Sequence, residues 1–277
     1  MNLSSLKQLE LLGKIKEKSE AGIRIFISAY YNLKGGGQGM SSREIYPAIG
    51  IAEKYGLKII GFQTYIGTNI FDEQKYIDST IALQVLADNL AERVPNLRYI
   101  NIGGGFGIPY SSQDKRFRWD IFGRRASELF ERIKGNEDHR IQFKMEPGRS
   151  IVGDAGYFLT RVVELKRDNI LVVDAPYTNF ARPFVYHTNH RVRCVGKDGK
   201  LKQFEIRGCS INSEDYLSRP EFEGDSAYLP ENIQEGDLLC FKDVGAYSPA
   251  MQMDFLDYNK APTILVEGGE IKKAKKD

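Results

Sequence analysis

The 277-residue sequence predicts an α/β half followed by a β-rich half. Two observations carry this fold class. Up to residue 149, strand-like apolar runs alternate four times with helical repeats, as parallel βαβ units do. Beyond that point the runs are short, rich in β-branched residues and separated by turn dipeptides such as Asp198-Gly199, the pattern of an antiparallel β domain. The boundary is therefore placed between domains 1–149 and 150–277.

Ser4 or Ser5 can cap a first helix in which Leu6, Leu9, Leu12 and Ile15 keep helical spacing. Residues 22–29 (GIRIFISA) read as a strand. Residues 34–40 (KGGGQGM) are too glycine-rich for regular structure and fit neither a P-loop nor a dinucleotide fingerprint. The next helix runs to Lys54, with Pro47 placed near its first turn and Gly56 as its stop. Residues 57–66 form a second strand ending in Gly67-Thr68-Asn69, and residues 72–93 a long helix. A third strand, 97–102, delivers Gly103, Gly104 and Gly105. A helix over 119–134 leads to a fourth strand, 141–146. The β-rich half offers strands at 157–164, 170–173, 191–195, 202–206, 237–241 and 263–266.

Composition narrows the function. Lys+Arg 39 against Asp+Glu 37 leaves a charge of +2, too balanced to suggest nucleic acid, and the lysine-rich end reads as a solvated tail. No run approaches the roughly 18 apolar residues of a membrane span. The start lacks the pattern of a signal peptide. Three scattered cysteines give neither a disulfide framework nor a zinc site. A cytoplasmic protein without a structural metal is expected.

The chemistry gathers at strand ends. The fourth strand closes on Glu146-Pro147-Gly148-Arg149, where proline and glycine end the ladder beside one anion and one cation. Gly103, Gly104 and Gly105 follow the preceding strand, and successive glycines can turn bare amides toward a phosphate. Barrels hold phosphates at the loops after their last strands. A carboxylate beside such a cradle suits a cationic partner such as a pyridinium nitrogen. A complete (β/α)8 barrel takes roughly 250 residues, and residues 1–149 hold only four or five units. Either the sheet is open, or the first part of a barrel is not in this chain.

The segments YINIGGGFGIPY and KMEPGRSIVGDAG resemble those of the fold-type III pyridoxal-phosphate decarboxylases, the group of diaminopimelate, ornithine and arginine decarboxylases. GFQTYIGTN, VVDAPYTNFARPFVY, GCSINSED, GDLLCFKDVGAYSPAM and APTILVEGG follow in the family's order, and LKGGG leans toward relatives in siderophore or carrier-linked pathways. The resemblance implies a partial (β/α)8 barrel of the TIM type, alanine-racemase-like, with a C-terminal antiparallel β domain. It implies pyridoxal 5'-phosphate as cofactor, a basic or dicarboxylic amino acid as substrate, and a homodimer, with neither nucleic acid nor membrane as partner.

It also implies roles. Gly103, Gly104, Gly105, Gly148, Arg149 and Tyr247 would surround the phosphate, with Tyr65 and Thr68 also on the cofactor. Glu146 would keep the pyridine nitrogen protonated. Arg182 and Tyr186 would grip the substrate carboxylate, joined on the substrate side by Arg149, Asn212 and Tyr247. Three departures stand out. Nothing here resembles the family's first strand with its cofactor-bonding lysine, and Lys34 and Lys58 are merely the lysines nearest strand ends. A separate N-terminal fragment could supply it. Tyr65 takes the place of a stacking histidine. The family's proton-donating cysteine aligns with Ile211, leaving Cys209 as the nearby candidate, while Asn212 replaces an acidic residue and Asp215 keeps the motif's end. The reading is thus a truncated or split decarboxylase, catalytic through Glu146, Cys209 and Asp215. Its rival is a non-catalytic cofactor- or partner-binding relative. A racemase of the same barrel type would place arginine, not glutamate, at the pyridine nitrogen.

Overall fold

The structure is a computed structural model, and it describes residues 1–27, 38–133 and 141–273. Lys34 and most of the loop over 34–40 lie outside the described residues. The chain divides into two compact units. Met1–Gly107 with Arg116–Gly148 forms the first, and Ile108–Lys115 with Arg149–Asp277 the second. The short segment from Ile108, assigned by sequence to the α/β half, thus groups with the β half.

In the first unit, β1 (Asn2–Leu3), β2 (Glu20–Ile25), β3 (Lys58–Thr64), β4 (Tyr99–Asn101) and β5 (Gln142–Lys144) pair in that order, all parallel. Between them run α1 (Leu6–Ile15), α2 (Ser42–Tyr55), α3 (Glu73–Asn89) and α4 (Trp119–Ile133). This is part of a β/α barrel. Ser5 is the cap of α1, its hydroxyl accepting from the Gln8 amide at 3.3 Å. Gly56 stops α2 in the left-handed region at φ 64°. Pro47 does not sit in the first turn as expected. Ser41 caps the helix, with Glu44 accepting from its amide at 2.8 Å, so α2 begins at Ser42 and the proline falls inside it. There it lacks the N–H that would bond four residues back.

Apolar side chains of α1, α2 and α3 (Leu9, Ile45, Ile49, Leu83) pack onto Ile23, Ile59, Phe62 and Ile100 of the strands. Tyr99 of β4 makes a different contact. A Cβ at Gly61 would lie 2.0 Å from its ring, and one at Gly22 would lie 2.2 Å from its hydroxyl. The ring therefore lies across two bare positions of β3 and β2, and its hydroxyl bonds Asn2 of β1 at 2.5 Å. One side chain thereby connects four of the five strands.

The second unit opens with the short helix α5 (Arg149–Val152), followed by β6 (Tyr157–Lys166), β7 (Ile170–Val173), α6 (Ala181–Tyr186), β8 (Val192–Cys194), β9 (Leu201–Arg207), β10 (Tyr216–Ser218), β11 (Ala227–Pro230) and β12 (Leu238–Lys242). The sheet order is β10-β9-β7-β6-β12-β8, with β11 on β9. All pairings are antiparallel except β7–β9, because α6 and β8 intervene and the chain crosses over before returning. Leu171, Phe204, Ile206, Leu217, Leu239 and Phe241 are among the core residues. Finally β13 (Ile264–Glu267) pairs with β14 (Glu270–Lys273), through Gly268 and Gly269 at φ 58° and 84°. Every β13 side chain is exposed.

Gly61→Val should expel the Tyr99 ring and lower stability by about 2 kcal/mol or more, as overpacking does. Gly50, with nothing within 4 Å of a built Cβ, is the control: Gly50→Ala in α2 should add about 0.5 kcal/mol. Urea midpoints of the two variants check both signs.

Candidate active site

Because β3, β4 and β5 are parallel and in register at Gln63, Asn101 and Lys144, their following residues emerge along one edge. Gly103, Gly104 and Gly105 follow β4. Gly103 and Gly105 have φ 72° and 91°, a region that L side chains rarely adopt. Their built Cβ atoms would meet the backbone oxygens of Thr64 at 2.3 Å and Gly67 at 1.9 Å, and that of Gly104 would meet the oxygen of Glu146 at 2.3 Å. Only glycine fits this run. Two backbone hydrogen bonds, Ile70 to Gly105 and Gly107 to Ile70, both 2.9 Å, tie it to the loop after β3. The buried Tyr76 hydroxyl adds a bond to the Gly104 carbonyl at 3.2 Å.

Glu146 is held on the same edge by a ring of three hydrogen bonds. Its amide donates to the Gly103 carbonyl at 2.8 Å. The Gly103 amide donates to Asn101 Oδ1 at 2.8 Å, and Asn101 Nδ2 donates to Glu146 Oε1 at 2.8 Å. The Glu146 side chain is exposed, whereas Asn101 is buried. Tyr65, 39% exposed, lies beside Gly105 with the Arg24 guanidinium 5.5 Å from its ring centroid. Thr68 belongs to the same loop. Lys58, at the start of β3, is at the opposite end of its strand from these residues.

In the second unit, Arg149 stands over two rings, Tyr247 at 4.9 Å and Tyr110 at 5.3 Å. Tyr247 has φ 62°, and its loop is bound by the Gly245 amide to the Gly153 carbonyl at 3.0 Å. Gly148 immediately precedes Arg149 and is exposed.

Arg182 differs from its expected role. It is 5% exposed, stacked 3.8 Å over Tyr110, and donates through Nη1 to Thr188 at 3.0 Å and to His190 Nε2 at 2.7 Å. The guanidinium is enclosed by these contacts. Tyr186, by contrast, is 54% exposed. The arginine can only donate, so His190 Nε2 accepts and its Nδ1 carries the hydrogen bonded to the Lys242 carbonyl at 2.9 Å. His190 is therefore neutral. Burial, then the Arg182 charge, pushes its pKa down to about 3.

Asp215 also departs from expectation. Its oxygens accept from the backbone amides of Tyr177 at 2.7 Å and Ser210 at 2.8 Å, so a buried carboxylate braces the turn that carries Cys209. Asn212 accepts from the Glu214 amide at 3.0 Å in the same turn. Burial, and next the Asp215 charge, raise the Cys209 thiol, which keeps it protonated. Ile211 is 90% exposed. Sequence reasoning missed Asn101, Tyr110 and His190. The one available signal was an amide side chain two residues before a glycine run.

The sequence profile of the pyridoxal-dependent decarboxylases, pyridoxal-binding domain, matches residues 1–153. The chain belongs to this family. The family's cofactor is pyridoxal phosphate, and the glycine run and ring-held carboxylate lie within the matched region. The chain is 28% identical over 294 residues to a diaminopimelate decarboxylase of Aquifex aeolicus, covering 99% of this chain and 66% of the relative. It is 30% identical over 223 residues to that of Neisseria meningitidis serogroup B, covering 79% and 50%. It thus spans between half and two thirds of these relatives. A crystal structure from Aquifex aeolicus superposes with a TM-score of 0.84 at 28% identity, covering 98% of this chain and 64% of the other. The Helicobacter pylori diaminopimelate decarboxylase complexed with L-lysine gives 0.81 at 25%, covering 98% and 68%. Among the described residues no helix is long and apolar enough to cross a membrane, and no group of side chains suits a metal ion.

The buried His190 sets a pH dependence. In the unfolded chain it protonates near 6.5, in the folded chain only near 3, so the unfolded state binds more protons between them. Its contribution is intact above pH 6.5 and declines as pH falls, by about 2 kcal/mol at pH 5. Urea titrations at pH 7 and 5 should show a smaller loss for His190→Gln than for the unaltered chain.

Proposed function

We propose that this chain forms the cofactor- and substrate-handling part of a pyridoxal-phosphate-dependent amino-acid decarboxylase of the diaminopimelate decarboxylase type. The observation that carries the reading is the hydrogen-bonded ring joining Glu146 to the glycine run. It offers an acceptor oxygen and bare amides at one strand edge, which fits the ring nitrogen and phosphate of one ligand. When bound, pyridoxal phosphate supplies an electron sink for the pair left at Cα as CO2 departs.

The chain's own residues have narrower tasks. Gly104 and Gly105 present amides to phosphate, Gly103 bends the run while its own amide is held by Asn101, and Gly148, Arg149 and Tyr247 are the remaining phosphate residues. Glu146 holds a proton on the pyridine nitrogen. Tyr65 faces the ring and Thr68 borders it. Cys209 holds a thiol proton for return to Cα, Asp215 positions that turn, and Tyr186 with Asn212 contacts substrate. Arg182 acts through Tyr110 and His190. The relatives' names point to a diamino-dicarboxylic or basic amino acid, and assembly as a homodimer belongs to the same reading. The exposed Ile211, which has no proton to give, favours a second reading as a non-catalytic cofactor-binding relative.

Carbon dioxide release from diaminopimelate, lysine, ornithine and arginine, with added pyridoxal 5'-phosphate, separates the two readings. Ligand binding without release from any of them, also after a fragment bearing the family's first strand and its lysine is added, selects the non-catalytic one. Pyridoxine 5'-phosphate, which has no aldehyde, tests the phosphate residues by calorimetry independently of any lysine. It should bind at least ~10-fold tighter than pyridoxine, and Gly105→Ala or Arg149→Met should erase that preference. Equal affinity for the two ligands would remove the phosphate assignment.

A further inference from the structure

We propose that Asn101 is the positioning residue that sets both the orientation and the acceptor state of Glu146, and that couples them to the glycine run. This rests on the reading of Glu146 as the partner of a pyridine nitrogen.

The orientation of the Asn101 amide follows from its partners. The Gly103 N–H must meet an oxygen, which fixes Oδ1 on that side at 2.8 Å. Nδ2 is then the atom at 2.8 Å from Glu146 Oε1, and an amide nitrogen can only donate. Oε1 is therefore the acceptor of this bond. Oε2 is the oxygen left to face a ligand. A pyridine nitrogen opposite Oε2 then meets an acceptor and keeps its own proton.

The same amide ties position to charge. Asn101 is 6% exposed and ends β4, and Gly103, two residues on, needs its φ of 72°. Any movement of the glycine run pulls on Asn101 Oδ1, and through Nδ2 on the carboxylate. Two titratable side chains flank the group. Tyr99, two residues before Asn101, has its hydroxyl raised by burial and next by the Glu146 charge. Lys144, two residues before Glu146, holds its Nζ 4.3 Å from the centroid of the Tyr99 ring. The Lys144 ammonium can only donate, and the Tyr99 hydroxyl is engaged with Asn2, so neither supplies a competing acceptor.

The test uses the full chain, pyridoxine 5'-phosphate as probe, and two readouts: its affinity, and the pH at which the ultraviolet spectrum of the bound ring reports loss of the pyridine proton. Asn101→Leu removes both bonds of the side chain. It should weaken affinity at least ~10-fold and lower the midpoint by about one pH unit. Asn101→Asp keeps an acceptor for Gly103 but replaces the donor by a second acid. It should hold affinity within ~3-fold and raise the midpoint, since the added carboxylate lies behind the first. Should the leucine variant fail to fold by circular dichroism, the midpoint of the aspartate variant decides alone. Midpoints equal to that of the unaltered chain would overturn the role of Asn101 while leaving the cofactor reading in place. Failure of the unaltered chain to bind the probe would remove the cofactor reading, and this inference with it.

Discussion

Gln63, Asn101 and Lys144 stand side by side across β3, β4 and β5, and this register is the constraint on which the first unit depends. Parallel strands in fixed register end together, so their loops share an edge without any loop having to be long. Side chains alternate along each strand, and a slip of one residue would turn Asn101 away from Glu146. The register is itself held by volume. Tyr99 needs the bare positions of Gly61 and Gly22, and its hydroxyl reaches Asn2. Packing on one face of the sheet thus fixes hydrogen bonding at its edge.

Much of this was legible in the sequence because it follows from local rules. The glycine run and the Glu146-Pro147-Gly148-Arg149 break stand out as interruptions of strands, and the strand at Ile170–Val173 was read to the residue. β1, β10 and β11 were not legible, because they lack the continuous, largely β-branched run that marks the similarly short Ile170–Val173. The parallel β7–β9 pairing was also hidden, because pairing is decided by crossover and not by composition. Pro47 was misplaced because capping by Ser41 and Glu44 outweighed the preference of proline for the first turn.

Site residues divide in the same way. Backbone-determined ones announce themselves, since a Cβ at Gly103, Gly104 or Gly105 would strike a backbone oxygen. Side chains defined by three-dimensional partners do not. Arg182 and Asp215 carry charge in a motif-like setting, yet each turned inward, one to a tyrosine ring and a neutral imidazole, the other to backbone amides. Both satisfy buried donors or acceptors that the sequence does not reveal. Asn101 is the reverse case, an unremarked amide whose two ends happen to fit two specific partners.

The β13–β14 ribbon obeys a different logic from the sheets. In them, a buried face penalises every mispairing, so register is information stored in the core. Among the described residues the β13 side chains are exposed along its whole length and β14 pairs with β13 alone, so no core reads the register. Gly268 and Gly269, both left-handed, are the two residues between Glu267 and Glu270 that set which strand residue meets which. One residue inserted between those glycines would re-match Leu265 and Lys272 at almost no energetic cost. The ribbon's fold is thus encoded in its turn.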